Sequence, residues 1–213
     1  MVVEIIPAIL EVSWENIACK LKLIQGLCAW VQIDVMDGVF VPNTTWGNFQ
    51  DINTVKSPPN IEIHLMIDRP ERTLLSWLVP RAVKRVIVHA ESTDLLENVF
   101  AAGHSMHKQI GLAINPKTPI ESIDRFLPQS ALVLVMGVEP GFSGQAFDVS
   151  VLKKIQQLQK FDAHIPIAVD GGVNEKTAPQ MIAAGATILY VASYLWQDEA
   201  KIAEKINTLK KIT

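Results

Sequence analysis

Polar residues interrupt or end several apolar runs of this chain at positions where they could do chemistry. The run VQIDVM places Gln32 and Asp34 two residues apart, His64 follows NIEI, and Asp170 follows PIAV. Side chains alternate along a β-strand, so Gln32 and Asp34 point to the same side. A buried carboxylate is unfavourable unless it is paired or bound to a metal. Two such carboxylates and a histidine therefore predict an acid–base or metal site.

Short runs rich in Val, Ile and Leu recur along the chain, with longer amphipathic segments between them. This alternation is typical of strands and helices arranged around a parallel sheet. Polar residues at the carboxyl ends of such strands meet on one face. The predicted strands, eight in all, are VVEIIPAIL, CAWVQIDV, NIEIHLMI, AVKRVIVHA, QIGLAIN, ALVLVMGV, PIAVDGG and TILYVAS.

The segments between these strands carry helix start and stop signals. We predict caps at Ser13, Thr93 and Asn174, and helix ends at Gly26, Gly103 and Gly185. The predicted helices are SWENIACKLKLIQG, PERTLLSWL, STDLLENVFAAG, SIDRFL, DVSVLKKIQQLQK, NEKTAPQMIAAG and a closing helix WQDEAKIAEKINTLKKI. Repeated strand–helix units without a linker predict one domain over residues 1–213, a closed TIM (β/α)8 barrel of the α/β class.

Composition excludes several classes of function. The chain has 213 residues, 49% of them hydrophobic, and a net charge of −3 with both signs interspersed, so no basic surface for nucleic acid is expected. No segment approaches the ~20 apolar residues of a membrane span, and the N-terminal run containing Glu4 and Pro7 predicts a strand rather than a signal peptide. Cys19 and Cys28 match neither a disulfide framework nor a zinc pattern. We expect a cytoplasmic protein.

Five motifs, in this order and spacing, resemble the ribulose-phosphate 3-epimerase family: DVMDGVFVPN, HLMI, GLAINPKTP, VMGVEPGFSGQAF and VDGGVN. The resemblance runs from IIPAIL to VASYLW, nearly the whole chain. It implies the interconversion of D-ribulose 5-phosphate and D-xylulose 5-phosphate by two-base 1,1-proton transfer at C3 through a cis-enediolate. Two bases on opposite faces are what inversion at a carbon requires, and stabilisation of the developing oxyanion supplies much of the rate.

The resemblance also implies catalytic and metal-binding residues. Asp34 and Asp170 match the two acid–base residues, and both match metal ligands together with His64. The fourth ligand, a histidine in the family, is Gln32 here. The family implies zinc or ferrous iron, but an amide oxygen is a weak, hard ligand, so we expect lower affinity and a shift toward manganese or magnesium. Alternatively, the Gln32 amide nitrogen donates a hydrogen bond to the substrate carbonyl.

Further positions match substrate-binding residues of the family. Met36, Met66 and Met136 match methionines that flank the enediolate, although core packing would also explain them. Phosphate in the family is bound by backbone amides, which favour an anion without lysine. The matching residues here are Gly141, Phe142, Ser143, Gly144, Gly171, Gly172, Ala192 and Ser193.

The chain departs from the family pattern within this one pocket. Ala8 replaces a serine whose hydroxyl would reach substrate, and Ser143 and Ala192 replace glycines. With Gln32, these changes leave two alternatives open: an epimerase of another ketose phosphate, such as a six-carbon ketose 6-phosphate, or a non-catalytic paralogue. The retained aspartate pair argues against the second. The family also implies a homo-oligomer, a dimer or a hexamer, that binds a small-molecule ketose phosphate.

We predict that several other polar residues lie outside the reaction chemistry. We interpret His89 as structural rather than catalytic, and Asp37 as ordering the turn that follows it. His104, His107 and His164 fall in helix-to-strand connections, which would place them on the face opposite the site.

Overall fold

A closed barrel of eight parallel strands forms the centre of the computed structural model, which describes residues 3–162 and 164–212. Each strand pairs with the next, and β8 pairs with β1 to close the barrel. The predicted fold is therefore confirmed; residue 2 of the first predicted strand lies outside the described residues. The strands are β1 (Glu4–Ile9), β2 (Trp30–Met36), β3 (Asn60–Met66), β4 (Val83–His89), β5 (Gln109–Ile114), β6 (Val133–Met136), β7 (Ile167–Asp170) and β8 (Ile188–Val191).

Helices surround the barrel, with two gaps in the α-helical pattern. A 3-10 helix, Phe49–Thr54, follows β2, and the 3-10 helices Ile120–Ser122 and Asp124–Gln129 follow β5. The predicted helix SIDRFL is therefore wrong as an α-helix, and Pro128 inside the second of these turns removes a backbone donor. The α-helices are α1 (Trp14–Leu23), α2 (Leu74–Leu78), α3 (Leu96–Ser105), α4 (Val151–Phe161), α5 (Ala178–Ala184), α6 (Ser193–Trp196) and α7 (Ile202–Ile212).

Two predicted helix ends show how local signals succeed and fail. Gly185 follows α5 with φ 117°, the left-handed backbone that favours glycine. Gly103 was predicted to end a helix, but α3 continues past it to Ser105. A Cβ at residue 103 would lie 2.3 Å from Cγ1 of Ile110, so this glycine lets α3 pack closely on β5.

One of the three predicted helix caps is confirmed, and the other two are not. The Ser13 hydroxyl accepts a hydrogen bond from the Asn16 amide at the start of α1, as predicted. Thr93 and Asn174 instead order turns before their helices, because Thr93 accepts from the Leu95 amide and Asn174 from the Lys176 amide.

The core has two layers. Apolar residues between the strands and helices form the larger one, and side chains that fill the barrel interior form the second, among them Ile6, Ala8 and Leu134. Eight polar or charged side chains are buried as well: Gln32, Asp34, Glu62, His64, Arg85, His89, Ser92 and Asp170. None of the helices built from the described residues combines the length and hydropathy that a bilayer-spanning segment requires.

Candidate active site

Strand register brings the predicted site residues together at the carboxyl end of the barrel. In the β2–β3 pairing, Asp34 lies opposite His64, and Asp170 is the last residue of β7. One ligand atom from each of Asp34, His64 and Asp170 lies within 4.8 Å of the other two. The three residues come from three strands, so rigid elements fix their separation.

Gln32 bridges the two carboxylates. Its Nε2 donates to Oδ1 of Asp34 at 2.8 Å and to Oδ2 of Asp170 at 2.6 Å. Its Oε1 is buried without a hydrogen-bond partner among the described residues. The alternation along β2 predicted that Gln32 lies beside Asp34, but the bridge to Asp170 could not be predicted from local sequence.

Both carboxyl groups titrate near neutral pH. Burial raises the pKa of Asp34 to about 7, partly offset by the hydrogen bond from Gln32. Burial and the neighbouring Asp34 charge raise the pKa of Asp170 to about 7, while His64 and Gln32 oppose the shift. Such a pair can hold one proton on one carboxyl while the other is ionised, which is the state a two-base reaction needs.

The two histidines of the site are buried and hydrogen-bonded to each other. His64 Nε2 lies 2.9 Å from His89 Nε2, and His64 Nδ1 lies 3.2 Å from Oδ1 of Asp34. Burial lowers the pKa of each imidazole to about 4. Both rings are therefore neutral at pH 7, and His89 contacts a site residue without reaching the pocket itself.

The donor set fits a divalent cation. Two carboxylates and a neutral imidazole are ligands that zinc, iron and manganese accept, and three protein ligands leave coordination positions open. The unpaired Oε1 of Gln32 adds a fourth possible donor. Turning the Gln32 amide by 180° exchanges Nε2 and Oε1, which would direct the oxygen toward the two carboxylates.

A pocket opens above these residues, with the two aspartates at its base. Met36, Met66 and Met136 line it, and so do all eight residues of the expected phosphate region, Gly141, Phe142, Ser143, Gly144, Gly171, Gly172, Ala192 and Ser193. Contact of these residues with a substrate stays a prediction. Sequence reasoning missed Leu10, Val138, Pro140, Gln145, Val173 and Tyr190, which line the same pocket. Val138, Pro140, Gln145 and Val173 lie inside motifs that carry the family resemblance, and Tyr190 is an aromatic polar residue inside a buried strand, so these five residues had usable signals.

The glycine pair after β7 has a backbone that the pocket wall requires. Gly171 and Gly172 have φ of 107° and 70°, and a Cβ on Gly172 would lie 2.8 Å from the Phe147 backbone nitrogen. The Gly172 carbonyl accepts hydrogen bonds from Thr177 Oγ1 at 2.7 Å and Asn174 Nδ2 at 3.0 Å. These bonds fix the turn in place at the pocket wall.

Three predicted residues lie beneath the pocket surface rather than on it. Gln32, His64 and Ala8 have 0% exposure. Ala8 pairs with Gln32 in the β1–β2 register, and its carbonyl accepts a hydrogen bond from Nε1 of Trp196 at 2.7 Å. A direct contact of Ala8 with substrate stays a prediction.

The loop after β2 is ordered by Asp37. Its Oδ1 accepts from the amides of Val39 and Phe40, and its Oδ2 accepts from the Asp68 amide after β3 at 2.8 Å. This agrees with the interpretation of Asp37 as a loop-ordering residue. His107 and His164 are exposed in the connections that precede β5 and β7, as predicted. His104 is also exposed, but it lies in the last turn of α3 rather than in a connection, because α3 continues past Gly103.

A parallel (β/α)8 barrel with paired carboxyl groups at the carboxyl ends of its strands has the architecture of a TIM-barrel enzyme. The chain belongs to the ribulose-phosphate 3-epimerase family, because the Ribulose-phosphate 3 epimerase family model matches residues 4–196. It is 34% identical to "Ribulose-phosphate 3-epimerase" of Bacillus subtilis (strain 168), covering 98% of this chain and 100% of that protein. It is 35% identical to "Ribulose-5-phosphate-3-epimerase, chloroplastic" of Arabidopsis thaliana, covering 96% and 76%.

Solved structures share the fold at low sequence identity. The 3-keto-L-gulonate-6-phosphate decarboxylase of Vibrio cholerae O1 biovar El Tor str. N16961 aligns with a TM-score of 0.78 at 8% identity, covering 100% of this chain and 97% of that one. A 3-hexulose-6-phosphate synthase aligns with a TM-score of 0.73 at 16% identity, covering 98% and 99%. Both likenesses concern the barrel alone.

Proposed function

We propose that this protein is an isomerase that interconverts D-ribulose 5-phosphate and D-xylulose 5-phosphate. The observation that carries the proposal is the pair of carboxyl groups, Asp34 and Asp170, at the base of one pocket. They come from β2 and β7, with β1 and β8 between them, so they would approach a bound ketose from two sides. Inversion at C3 requires this arrangement of two bases.

In the proposed reaction, one carboxylate accepts the proton from C3 of the ketose phosphate. The other carboxyl group, protonated, then delivers a proton to the opposite face of the planar cis-enediolate, and the roles exchange in the reverse direction. In the metal-free protein the pKa of each group is about 7, so the singly protonated pair is well populated there at neutral pH. In the metal-free protein, hydrogen bonds from Gln32 Nε2 hold both carboxylates in position.

We further propose that Asp34, His64 and Asp170 hold a divalent metal, with Gln32 contributing through Oε1. Zinc or ferrous iron follows from the family, and the neutral Gln32 favours manganese or magnesium as alternatives. When bound, the metal supplies positive charge that stabilises the negative charge developing on the substrate oxygens.

Substrate binding is proposed along the pocket wall. Met36, Met66 and Met136 would pack against the apolar faces of the flat intermediate, since they line the same pocket as the two aspartates. Backbone amides would bind the phosphate in the region of Gly141, Phe142, Ser143, Gly144, Gly171, Gly172, Ala192 and Ser193. Ser143 and Ala192 leave such amide contacts available, because their changes affect side chains only.

The proposal is tested by turnover of D-ribulose 5-phosphate in purified protein, first stripped with a chelator and then supplied with zinc, ferrous iron, manganese or magnesium. We expect xylulose 5-phosphate to form with at least one ion, and deuterium from D2O to appear at C3. Turnover of a six-carbon ketose 6-phosphate alone would instead establish the alternative substrate. Absence of turnover with every sugar and ion would indicate a non-catalytic paralogue.

Three broader features complete the proposal. Residues 1–213 would form a single ribulose-phosphate-binding domain that acts in the cytoplasm. The protein would associate with copies of itself, as a dimer or a hexamer. Light scattering of the purified protein measures the number of copies in the oligomer directly.

A further inference from the structure

A line of polar contacts runs from the site to a loop on the barrel rim. His64 Nε2 lies 2.9 Å from His89 Nε2, with the ring centroids 5.0 Å apart and the ring planes within 15° of parallel. The two nitrogens are closer than the about 3.5 Å at which stacked rings meet, so the imidazoles contact edge to edge. This geometry suits one N–H···N hydrogen bond, and one ring must donate it.

Beyond His89 lies a carboxylate held in a fixed position. Glu91 Oε1 accepts hydrogen bonds from the Asn115 amide and from the Thr118 hydroxyl. Lys154 Nζ donates to the carbonyls of Asn115 and Pro116 at 2.7 and 2.8 Å, and so ties the same loop to α4. Burial alone would raise the pKa of Glu91, but its interactions with His89, Thr118 and the Asn115 backbone lower it to about 2.

The free oxygen of Glu91 faces His89. Glu91 Oε2 lies 3.5 Å from His89 Nδ1, and this nitrogen has no closer hydrogen-bond partner among the described residues. The Asn115 side chain also acts on His89 and favours its protonated form, as an oxygen acceptor does. An ionised carboxylate can only accept hydrogen bonds, so the favourable state places a hydrogen on His89 Nδ1.

The position of the hydrogen on His89 determines the tautomer of His64. A neutral His89 with its hydrogen on Nδ1 has a bare Nε2, which must accept from His64. A neutral His64 that donates from Nε2 then has a bare Nδ1, 3.2 Å from Asp34 Oδ1 and 3.8 Å from Asp170 Oδ2. Gln32 Nε2 donates to both of these carboxylate oxygens, so the bare His64 Nδ1 is the acceptor left without a donor, and it points to where a proton or a cation would bind.

The opposite assignment has a specific cost. A hydrogen on His64 Nδ1 would donate to Asp34, but His89 would then donate from Nε2 and turn a lone pair toward the Glu91 carboxylate. Asp34 already accepts from Gln32 at 2.8 Å, whereas no other donor is positioned between His89 and Glu91 in the described chain. With the hydrogen on His89 Nε2, the lone pair of His89 Nδ1 would face the Glu91 carboxylate, and two buried acceptors would oppose each other. A hydrogen on His89 Nδ1 avoids this cost.

We propose that Glu91, acting through His89, fixes His64 as the tautomer with its hydrogen on Nε2 and its lone pair on Nδ1. Glu91 and His89 are then positioning residues that keep His64 ready to bind a cation without displacing a hydrogen. The inference rests on the proposed function only in treating His64 as a metal ligand. Hydrogen-bond partners of this kind set the orientation and basicity of metal-binding histidines.

The tautomers are read directly by long-range proton–nitrogen NMR correlation of the metal-free, 15N-histidine-labelled protein, whose five histidines keep the spectrum simple. We expect the hydrogen on Nδ1 of His89 and on Nε2 of His64. In Glu91→Gln, the amide oxygen can keep the contacts to Asn115 and Thr118 while the amide nitrogen donates to His89 Nδ1. Both tautomers should invert, and zinc affinity in a chelator competition should fall by about 10–100-fold.

Glu97→Gln is the matched control, because Glu97 forms an exposed ion pair with Arg125 at 3.1 Å and touches neither histidine. It should leave the tautomers and the zinc affinity unchanged. A hydrogen on Nδ1 of His64 in the unmodified protein would overturn the inference, even if Glu91→Gln did not fold. So would unchanged tautomers in folded Glu91→Gln. These readings need no substrate, so failure of the proposed epimerase activity would be visible separately, in the turnover assay.

Discussion

Two buried polar clusters occupy the barrel, and they differ in how their buried charges are compensated. We define them as the mouth cluster, Gln32, Asp34, His64 and Asp170, and the inner cluster, Glu62, Arg85 and Tyr190. Strand β3 contributes to both, because Glu62 and His64 lie two residues apart and point the same way. Only the mouth cluster reaches the pocket through its charged groups.

The inner cluster is balanced by the protein itself. Arg85 donates to the Glu62 carboxylate, its guanidinium lies 4.4 Å from the centre of the Trp30 ring, and it contacts Gln109 at 3.4 Å. A buried acid therefore has a buried base beside it, with an aromatic face below. The opposite charges of Glu62 and Arg85 balance each other, which indicates a structural role, although Glu62 Oε1, Arg85 Nη2 and the Tyr190 hydroxyl are buried without hydrogen-bond partners among the described residues.

The mouth cluster has an excess of acceptors. Among the described residues, the ion-pair partner of Asp34 and Asp170 is His64, which is neutral at pH 7, and the amide of Gln32 is their only other side-chain donor. Two carboxyl groups without a fixed cation must hold a proton or bind one. Similar burial therefore leaves the inner cluster balanced in charge and the mouth cluster with an excess of acceptors, as the proposed reaction requires.

The largest expected effect lies in the mouth cluster. Asp170→Asn should lower kcat for ribulose 5-phosphate by about 10²–10⁴-fold, because an amide cannot accept or return the C3 proton. The folded protein should not lose stability, since the change removes a buried charge. Steady-state assays and urea unfolding measure the two effects. Asp148→Asn, at an exposed carboxylate, is the control, and activity of Asp170→Asn within tenfold of the original would contradict the assigned role.

A substitution in the inner cluster should lower stability strongly and kcat only slightly. Glu62→Gln leaves Arg85 buried without its counter-ion, so we expect a loss of about 3–5 kcal/mol in the free energy of unfolding. The kcat of the folded fraction should change only severalfold. Replacing both partners, Glu62→Gln with Arg85→Met, should recover most of the loss. Equal stability of the single and double variants would show that the ion pair is not what holds this cluster.

Sequence reasoning reached the strands more reliably than the contacts within the site. The eight apolar runs predicted the barrel because burial on both faces dictates continuous hydrophobic strands. Local signals failed where packing decided, as at Gly103, which is glycine because of Ile110 on another element. The Gln32–Asp170 and His64–His89 contacts join separate strands. Their distances depend on barrel register, which no local pattern contains.

A third prediction concerns the residue that distinguishes this mouth cluster from the family pattern. Gln32→His should raise zinc affinity by about tenfold or more, equivalent to ~1.4 kcal/mol, since imidazole nitrogen is a stronger zinc ligand than an amide oxygen. Chelator competition measures the affinity. Gln32→Leu, which removes both the donor and the acceptor, provides the comparison. If the His and Leu variants bound zinc equally, Gln32 would have no part in the metal site.

The smallest effect is a change in how stability depends on pH in the metal-free protein. The pKa of Asp170 is raised from 3.8 to about 7, so its contribution to stability is complete below pH 3.8 and is lost as pH rises toward 7. Asp170→Asn lacks this loss, and its stability relative to the original protein should increase by at least about 1 kcal/mol between pH 4 and 7. Urea unfolding at several pH values measures the difference.

The exposed Asp148, whose pKa is lowered by hydrogen bonds from Ser150, should give the opposite slope in Asp148→Asn, because its contribution to stability is lost as pH falls. Parallel curves for Asp170→Asn and the original protein would mean that this carboxyl is not desolvated, and that the mouth cluster is as well balanced as the inner one.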